Sequence, residues 1–321
     1  MNIKFLIKKI NIKNKNKFIQ LFYKLIIFIA IIFIIYKIII DIPLLKSFTW
    51  IFNYKNILLS FLIYTINLLL TAFSWALVMK TVSGFHSYWN HIRIYCVTNV
   101  AQRLPTLFPY LSARSEAYVN YGIPPQVTLT AMAMEISITI VSAAIVAGVM
   151  SFYLHPSQNY LAIIVVILLL IPISIITFPN KFIEVINKII IKQKRMPLVI
   201  KLSKFNTFSW VALFILIWLN SGLFYYLLIN SINNIPKEKL LYFIFFSALS
   251  GLVGWIGQLL FFMPIPALRQ ITMIYLMSTI VPMPLAVAFT LFSRVCVMVF
   301  ELMWATIFTF LYYLKTKFII R

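Results

Sequence analysis

The chain has 321 residues, of which 63% are hydrophobic and only 11% charged. Its mean hydropathy is +0.98. A soluble domain carries roughly a quarter charged residues, so one water-facing globule cannot hide this much apolar side chain. These figures exclude a soluble enzyme, a disordered chain and a nucleic-acid-binding domain. Lys and Arg number 28 against 6 Asp and Glu, a net charge of +22. Most of that charge sits at the N-terminus and between apolar runs, the pattern of the positive-inside bias. Some of it can also hold anionic lipid head groups. The composition therefore predicts an all-α, polytopic membrane protein of about seven to eight transmembrane helices.

Residues 1–20 are a basic, cytoplasmic N-terminus, with six lysines and no acid in 1–17. An apolar run from Leu21 to Ile40 follows. It is too long for the core of a cleaved signal and reads as a retained first span. The second span is expected at 56–79. The stretch 94–122 is apolar but interrupted by Arg103, Pro105, Pro109, Arg114 and Glu116. It reads as a broken or re-entrant segment, which survives at membrane depth only where protein or a cavity satisfies its backbone. The third span is expected at 126–153 and the fourth at 160–178. Residues 179–206 carry seven basic residues against one acid, Glu184, and read as a cytoplasmic loop. The fifth span is expected at 207–230 and the sixth at 240–262. A second broken stretch, 263–283, holds Pro264, Pro266 and Arg269. The last span is expected at 284–314, followed by a basic tail at 315–321. Seven clean spans from a cytoplasmic start leave the C-terminus outside, against its three basic residues. One broken stretch, the second by choice, is therefore expected to cross fully.

The two broken stretches end alike. Ile123-Pro124 stands before the third span as Val281-Pro282 stands before the last. The single transmembrane domain, 21–314, thus reads as an internal repeat with halves at about 56–153 and 240–314. Paired broken helices at corresponding positions point to a transporter's central site. Glu135, Arg294 and Glu301 lie inside apolar spans. Each charge costs about 2.5–3.5 kcal/mol at membrane depth, so each faces the bundle interior or a water-filled cavity. One reading is a polar seam that accepts a head group; the other is a structural pair, Glu135 with Arg294. Arg103, Arg114, Glu116 and Arg269 lie on the broken stretches. An arginine there suits a phosphate, through its planar fork of donors, or anchors the chain at the interface.

At these residues the chain resembles the lysylphosphatidylglycerol synthase transmembrane-region family, the flippase-like integral membrane proteins. The first signature, an Asn followed by Pro-Gly-x-x-Gly-Glu-x-x-Arg, is met by Asn99 and then Pro109-Tyr110-Leu111-Ser112-Ala113-Arg114-Ser115-Glu116. Gly122-Ile123-Pro124 and Glu135-Ile136 follow. The acid and base are in swapped order, and both glycines are missing. The second signature, Pro-x-Pro followed by glycines and an acid, is met by Pro264-Ile265-Pro266 and, further on, Arg294. Met273 stands where the acid is expected. The resemblance implies a divergent member that moves an anionic phospholipid or a polyprenyl-linked sugar between leaflets of a bacterial inner membrane. The chain stops right after its last expected span, so the soluble domain of the synthase members is expected to be lacking.

The expected partners are membrane lipids and no nucleic acid, with no cofactor and no metal. The alternative reading is a non-transporting anchor for a cell-envelope glycosyltransferase. A membrane-embedded transferase or phosphatase would need an acid–base or metal-ligand set, and six acids with three scattered histidines offer none. A small-solute or ion-coupled transporter would share the architecture, because repeats do not fix the substrate.

Overall fold

A computed structural model describes residues 52–103, 109–154, 177–192, 197, 202–261 and 265–319. The expected first and fourth spans, Pro105 and Pro264 lie outside these residues. All regular structure among the described residues is helical. The elements are α1 (Tyr54–Ser83), α2 (Tyr88–Asn99) with a 3-10 turn (Val100–Arg103), α3 (Pro109–Val119), α4 (Pro125–Leu154), α5 (Pro179–Lys192), α6 (Lys204–Ile229), α7 (Leu240–Phe261), α8 (Ile265–Met277) and α9 (Met283–Ile319). A further 3-10 turn, Lys237–Lys239, leads into α7.

Local chemistry sets the ends. Asn53, Ser87 and Ser203 cap α1, α2 and α6, each side chain accepting from a backbone N–H of the first turn. Gly84 closes α1 with φ +70°, where a side chain would be strained. Pro109, Pro125 and Pro179 open α3, α4 and α5, a position where the missing N–H costs nothing.

Five helices are long and apolar enough to cross a membrane: Tyr54–Ser83, Pro125–Leu154, Lys204–Ile229, Lys237–Gln258 and Met283–Lys315. The protein is a multi-pass integral membrane protein by these helices. They coincide with the second, third, fifth, sixth and last spans read from the sequence. Their outer faces expose large apolar side chains, Leu58, Leu62 and Ile66 on α1 and Leu291, Val295 and Leu302 on α9. Such faces suit hydrocarbon rather than water.

The two broken stretches are short helices. α2, α3 and α8 have 12, 11 and 13 residues. At about 1.5 Å per residue none reaches the roughly 30 Å of a hydrocarbon core. The second broken stretch does not cross as a helix of its own. Instead α8 folds back along α7, with Ser250 Oγ reaching Met273 Sδ at 3.9 Å.

The centre of the bundle is the antiparallel pair α1 and α6. Near one end Asn53 N donates to Ser231 O at 2.8 Å. Near the middle Asn67 Nδ2 donates to Ser221 Oγ at 3.0 Å, and Tyr64 packs on Phe224 with ring centroids 5.3 Å apart. α9 runs antiparallel to α2, with Asn99 bonded to Glu301 and Trp89 packed on Phe308. α4 packs on both α6 and α7, and Trp218 Nε1 of α6 donates to Ser142 Oγ of α4 at 3.1 Å.

With lipid on the outside, helix association depends on close packing rather than on expulsion of water. Gly222 is where α6 and α7 touch, since a methyl there would run into the Ile244 backbone. Gly222→Ala is expected to cost about 1–3 kcal/mol as an overpacking change. Thermal unfolding in detergent measures it, and an unchanged midpoint would disprove the close contact.

Candidate functional site

Inside this apolar bundle lies a cavity of about 220 Å³. Its walls come from α1–α4 on one side and α6–α9 on the other. Tyr64 and Asn67 of α1 and Tyr95 and Asn99 of α2 contribute, with Tyr110 and Arg114 of α3 and Glu135 and Thr139 of α4. The opposite wall has Trp218, Ser221 and Tyr225 of α6, Trp255 of α7, Arg269 and Gln270 of α8, and Ser293 and Arg294 of α9. The short helices are why these groups converge. A helix that stops part-way brings its side chains to the middle of the bundle and leaves room beside them.

The first wall is closed around Arg114, which is 1% exposed. Its Nη1 donates to Glu135 Oε2 at 2.8 Å. Its Nε donates to Thr98 Oγ1 at 3.3 Å. The guanidinium lies 4.5 Å from the Trp75 ring centroid and 4.3 Å from that of Tyr95, with Tyr110 beyond at 5.6 Å. Ion pair, hydrogen bond and aromatic faces together replace the hydration that this charge has lost.

The second wall is open in chemical terms. Arg294 Nη1 donates to Gln270 Oε1 at 3.2 Å, and Arg269 Nη2 donates to Tyr225 OH at 3.4 Å. Both acceptors are neutral. Among the described residues that line the cavity, Glu135 is the only acid, and Arg114 already holds it. The lining therefore carries two arginine charges in excess.

No family model matches the chain, and no curated protein or solved structure matches it.

Four residues expected from the sequence, Arg114, Glu135, Arg269 and Arg294, meet at the cavity. Two expectations are corrected. Glu135 pairs with Arg114 and not with Arg294, because the turn at 120–124 folds α3 back along α4. Glu116 is exposed, two residues and half a helical turn away from Arg114, and is not part of the cavity. Glu301 stands behind the wall: it is 2% exposed and its Oε1 accepts from Tyr64 OH and Asn99 Nδ2, both at 2.9 Å. Arg103 ends the 3-10 turn, and Pro109 and Pro266 sit in the first turns of α3 and α8. Sequence reasoning missed Asn67, Tyr225, Trp255 and Gln270. The signal was present in Asn67, a carboxamide in the middle of an otherwise apolar span.

Next to Arg114 a hydrogen-bonded chain ties the short helices to α1. Trp75 Nε1 donates to Tyr118 OH at 2.9 Å. The Tyr118 oxygen lies 2.7 Å from His91 Nδ1, and His91 Nε2 lies 2.8 Å from Phe85 O. The carbonyl can only accept, so Nε2 carries the proton and Nδ1 accepts from Tyr118. His91 sits in α2, outside the five long helices. Burial lowers its pKa below the ordinary 6.5, opposed in part by the bond to Phe85.

Arg114→Met or Glu135→Leu alone leaves the other charge buried and is expected to cost about 3–5 kcal/mol. The double variant is expected to recover much of that loss, because it removes both charges. A double-mutant cycle by unfolding in detergent measures the coupling, and simple additivity of the two losses would refute the pair.

The folded pKa of His91 lies below its unfolded value of 6.5, so the unfolded chain binds more protons between the two values. This contribution is fully present above about pH 6.5 and is lost as pH falls through that window. His91→Gln is expected to flatten the change in unfolding midpoint below about pH 6.5. A wild-type slope retained in the variant would assign the effect elsewhere.

Proposed function

We propose that the protein is a translocator that moves the head group of an anionic phospholipid or polyprenyl-linked lipid between membrane leaflets. The observation that carries this reading is the excess of positive charge in a cavity of mixed polar and apolar lining within a bundle of apolar, lipid-facing helices. A cation at membrane depth without a counter-ion is costly, and such residues mark substrate or ion paths. An anionic head group supplies the missing charge while its tails stay in the bilayer. Nothing in this role needs a covalent step.

The element order supports the reading. In α1–α4 and again in α6–α9, a long helix is followed by a shorter one, a short one and a long one. Ile123-Pro124 and Val281-Pro282 mark the same turn in each set. The antiparallel contact of α1 with α6 fits two repeats of opposite orientation with the site between them. On this reading the second repeat begins at α6, earlier than the boundary near 240 drawn from the sequence. The resemblance to flippase-like proteins agrees in substrate class.

Leaflet exchange in reconstituted vesicles tests the proposal, with fluorescent phosphatidylglycerol and a short polyprenyl phosphate as probes. Exchange above that of empty vesicles is expected for at least one probe. It should fall about tenfold in a folded Arg294→Ala protein, the loss of roughly 1.4 kcal/mol of interaction. No exchange above empty vesicles with either probe would refute transport. It would favour the membrane-anchor reading, in which the same cavity only braces the bundle.

A further inference from the structure

We propose that the group the cavity recognises is a doubly charged phosphate, a phosphomonoester or diphosphate, rather than a singly charged phosphodiester. The inference rests on the cavity assigned above as the head-group site, and it names the chemistry that this site selects. It does not depend on whether the bound group then moves.

On the α1–α4 side Arg114 is neutralised by Glu135 at 2.8 Å and its plane is covered by aromatic rings. That wall has no charge to offer a ligand. On the α6–α9 side Arg269 and Arg294 have only neutral acceptors, Tyr225 OH and Gln270 Oε1. Counting turns from the two Ile/Val-Pro junctions, the position matching Glu135 is Ser293, whose hydroxyl is engaged with Thr290 O at 2.8 Å. An acid that would have silenced Arg294 is absent from the place where the other half has one. The lining therefore asks for two negative charges. A phosphodiester carries one, and a phosphomonoester near neutral pH carries about 1.5 to 2.

Donor geometry and size agree. Each guanidinium is a planar fork that can give two parallel bonds to one phosphate. Gln270 accepts through Oε1 and keeps its amide N–H groups as further donors. A cavity of about 220 Å³ lies below the roughly 300–1,000 Å³ of sites for drug-sized ligands. That size matches a compact phosphate end, with any glycan of several sugars lying beyond it.

The test uses the full-length chain purified in detergent. Binding is measured by ligand-induced thermal shift with short-chain phosphatidic acid, phosphatidylglycerol with the same chains, and inorganic phosphate. At about pH 8, phosphatidic acid is expected to bind about tenfold tighter than phosphatidylglycerol. At about pH 5, where the monoester has taken up its second proton, the preference should shrink to near parity. Arg269→Gln and Arg294→Gln should each weaken phosphatidic acid about tenfold and phosphatidylglycerol less than about threefold. Arg294→Lys should keep most of the preference, since it keeps the charge. The unliganded unfolding midpoint of each variant reports its folding, and the wild-type comparison stands even if a variant fails to fold. Inorganic phosphate binding as tightly as phosphatidic acid would identify a free anion as the source of the same dianion. Weaker binding of inorganic phosphate would identify the lipid. Equal affinity of the wild-type protein for the two lipids at about pH 8 overturns the proposal. So does a preference that survives both glutamine substitutions. Exchange in vesicles without dianion preference would defeat this inference alone, and dianion preference without exchange would defeat transport alone.

Discussion

A guanidinium in the middle of a lipid-facing bundle has five N–H donors and no bulk water to satisfy them. In this protein the solution at Arg114 fixes the position of everything around it. Glu135 of α4 takes one end of the fork, Thr98 of α2 takes Nε, and Trp75 of α1 covers the plane. One side chain on α3 thereby binds three other helices. That matters because α3 has only 11 residues, too few for hydrocarbon on both sides to hold it in place as it holds a full span. One turn further on, Tyr118 repeats the device with neutral groups, joining Trp75 to His91. Trp75 serves both, giving its face to the cation and its N–H to the phenol. Breaking the ion pair leaves an orphan charge, and it also loosens the element that shapes one wall of the cavity.

The two walls then divide the labour. The wall from α1–α4 is internally neutral, and its two charges hold each other in place. The wall from α6–α9 holds its arginines with single bonds to Tyr225 and Gln270, at 3.4 and 3.2 Å. Those bonds are long enough to be exchanged for stronger, charge-assisted ones. The cost of keeping the free cations is lowered by nearby π-systems, as Arg269 lies 6.0 Å from the Trp218 ring centroid. A site of this kind is preorganised on one side and adaptable on the other, which suits a ligand that must be able to leave.

Much of this was legible in the sequence, for a physical reason. Hydropathy reports an average over a whole helix, so the five long helices appeared with ends within a few residues of those observed. Prolines and charges inside apolar stretches marked α2, α3 and α8 as interruptions, and they flagged Arg114, Glu135, Arg269 and Arg294. Partner choice was not legible. Aligning the two halves sets Glu135 beside Arg294 on paper, but which charges touch is decided by how α3 folds back over α4. Glu116 was misjudged for a related reason. At two residues from Arg114 it is on the far side of its helix, and its exposure reflects that angle. The neutral lining residues were hidden because Tyr and Trp read as ordinary membrane aromatics until the cavity gives them a direction.

The placement of the rare acids adds a last constraint. Six carboxylates serve the entire chain, and two of them, Glu135 and Glu301, are buried on the last long helix of each set. Glu135 reaches the cavity surface, whereas Glu301 acts one layer back, holding Tyr64 and Asn99 in the wall. Among the described residues the only acid on the lining therefore comes from α4, where Arg114 holds it, while the two cations without an acid come from α8 and α9. The net charge of the cavity is thus uneven, carried by Arg269 and Arg294 alone. A phosphate entering it is drawn toward Arg269 and Arg294, because Arg114 already neutralises Glu135 on the other side. Orientation follows from which side keeps its charge, and it is set before any ligand arrives.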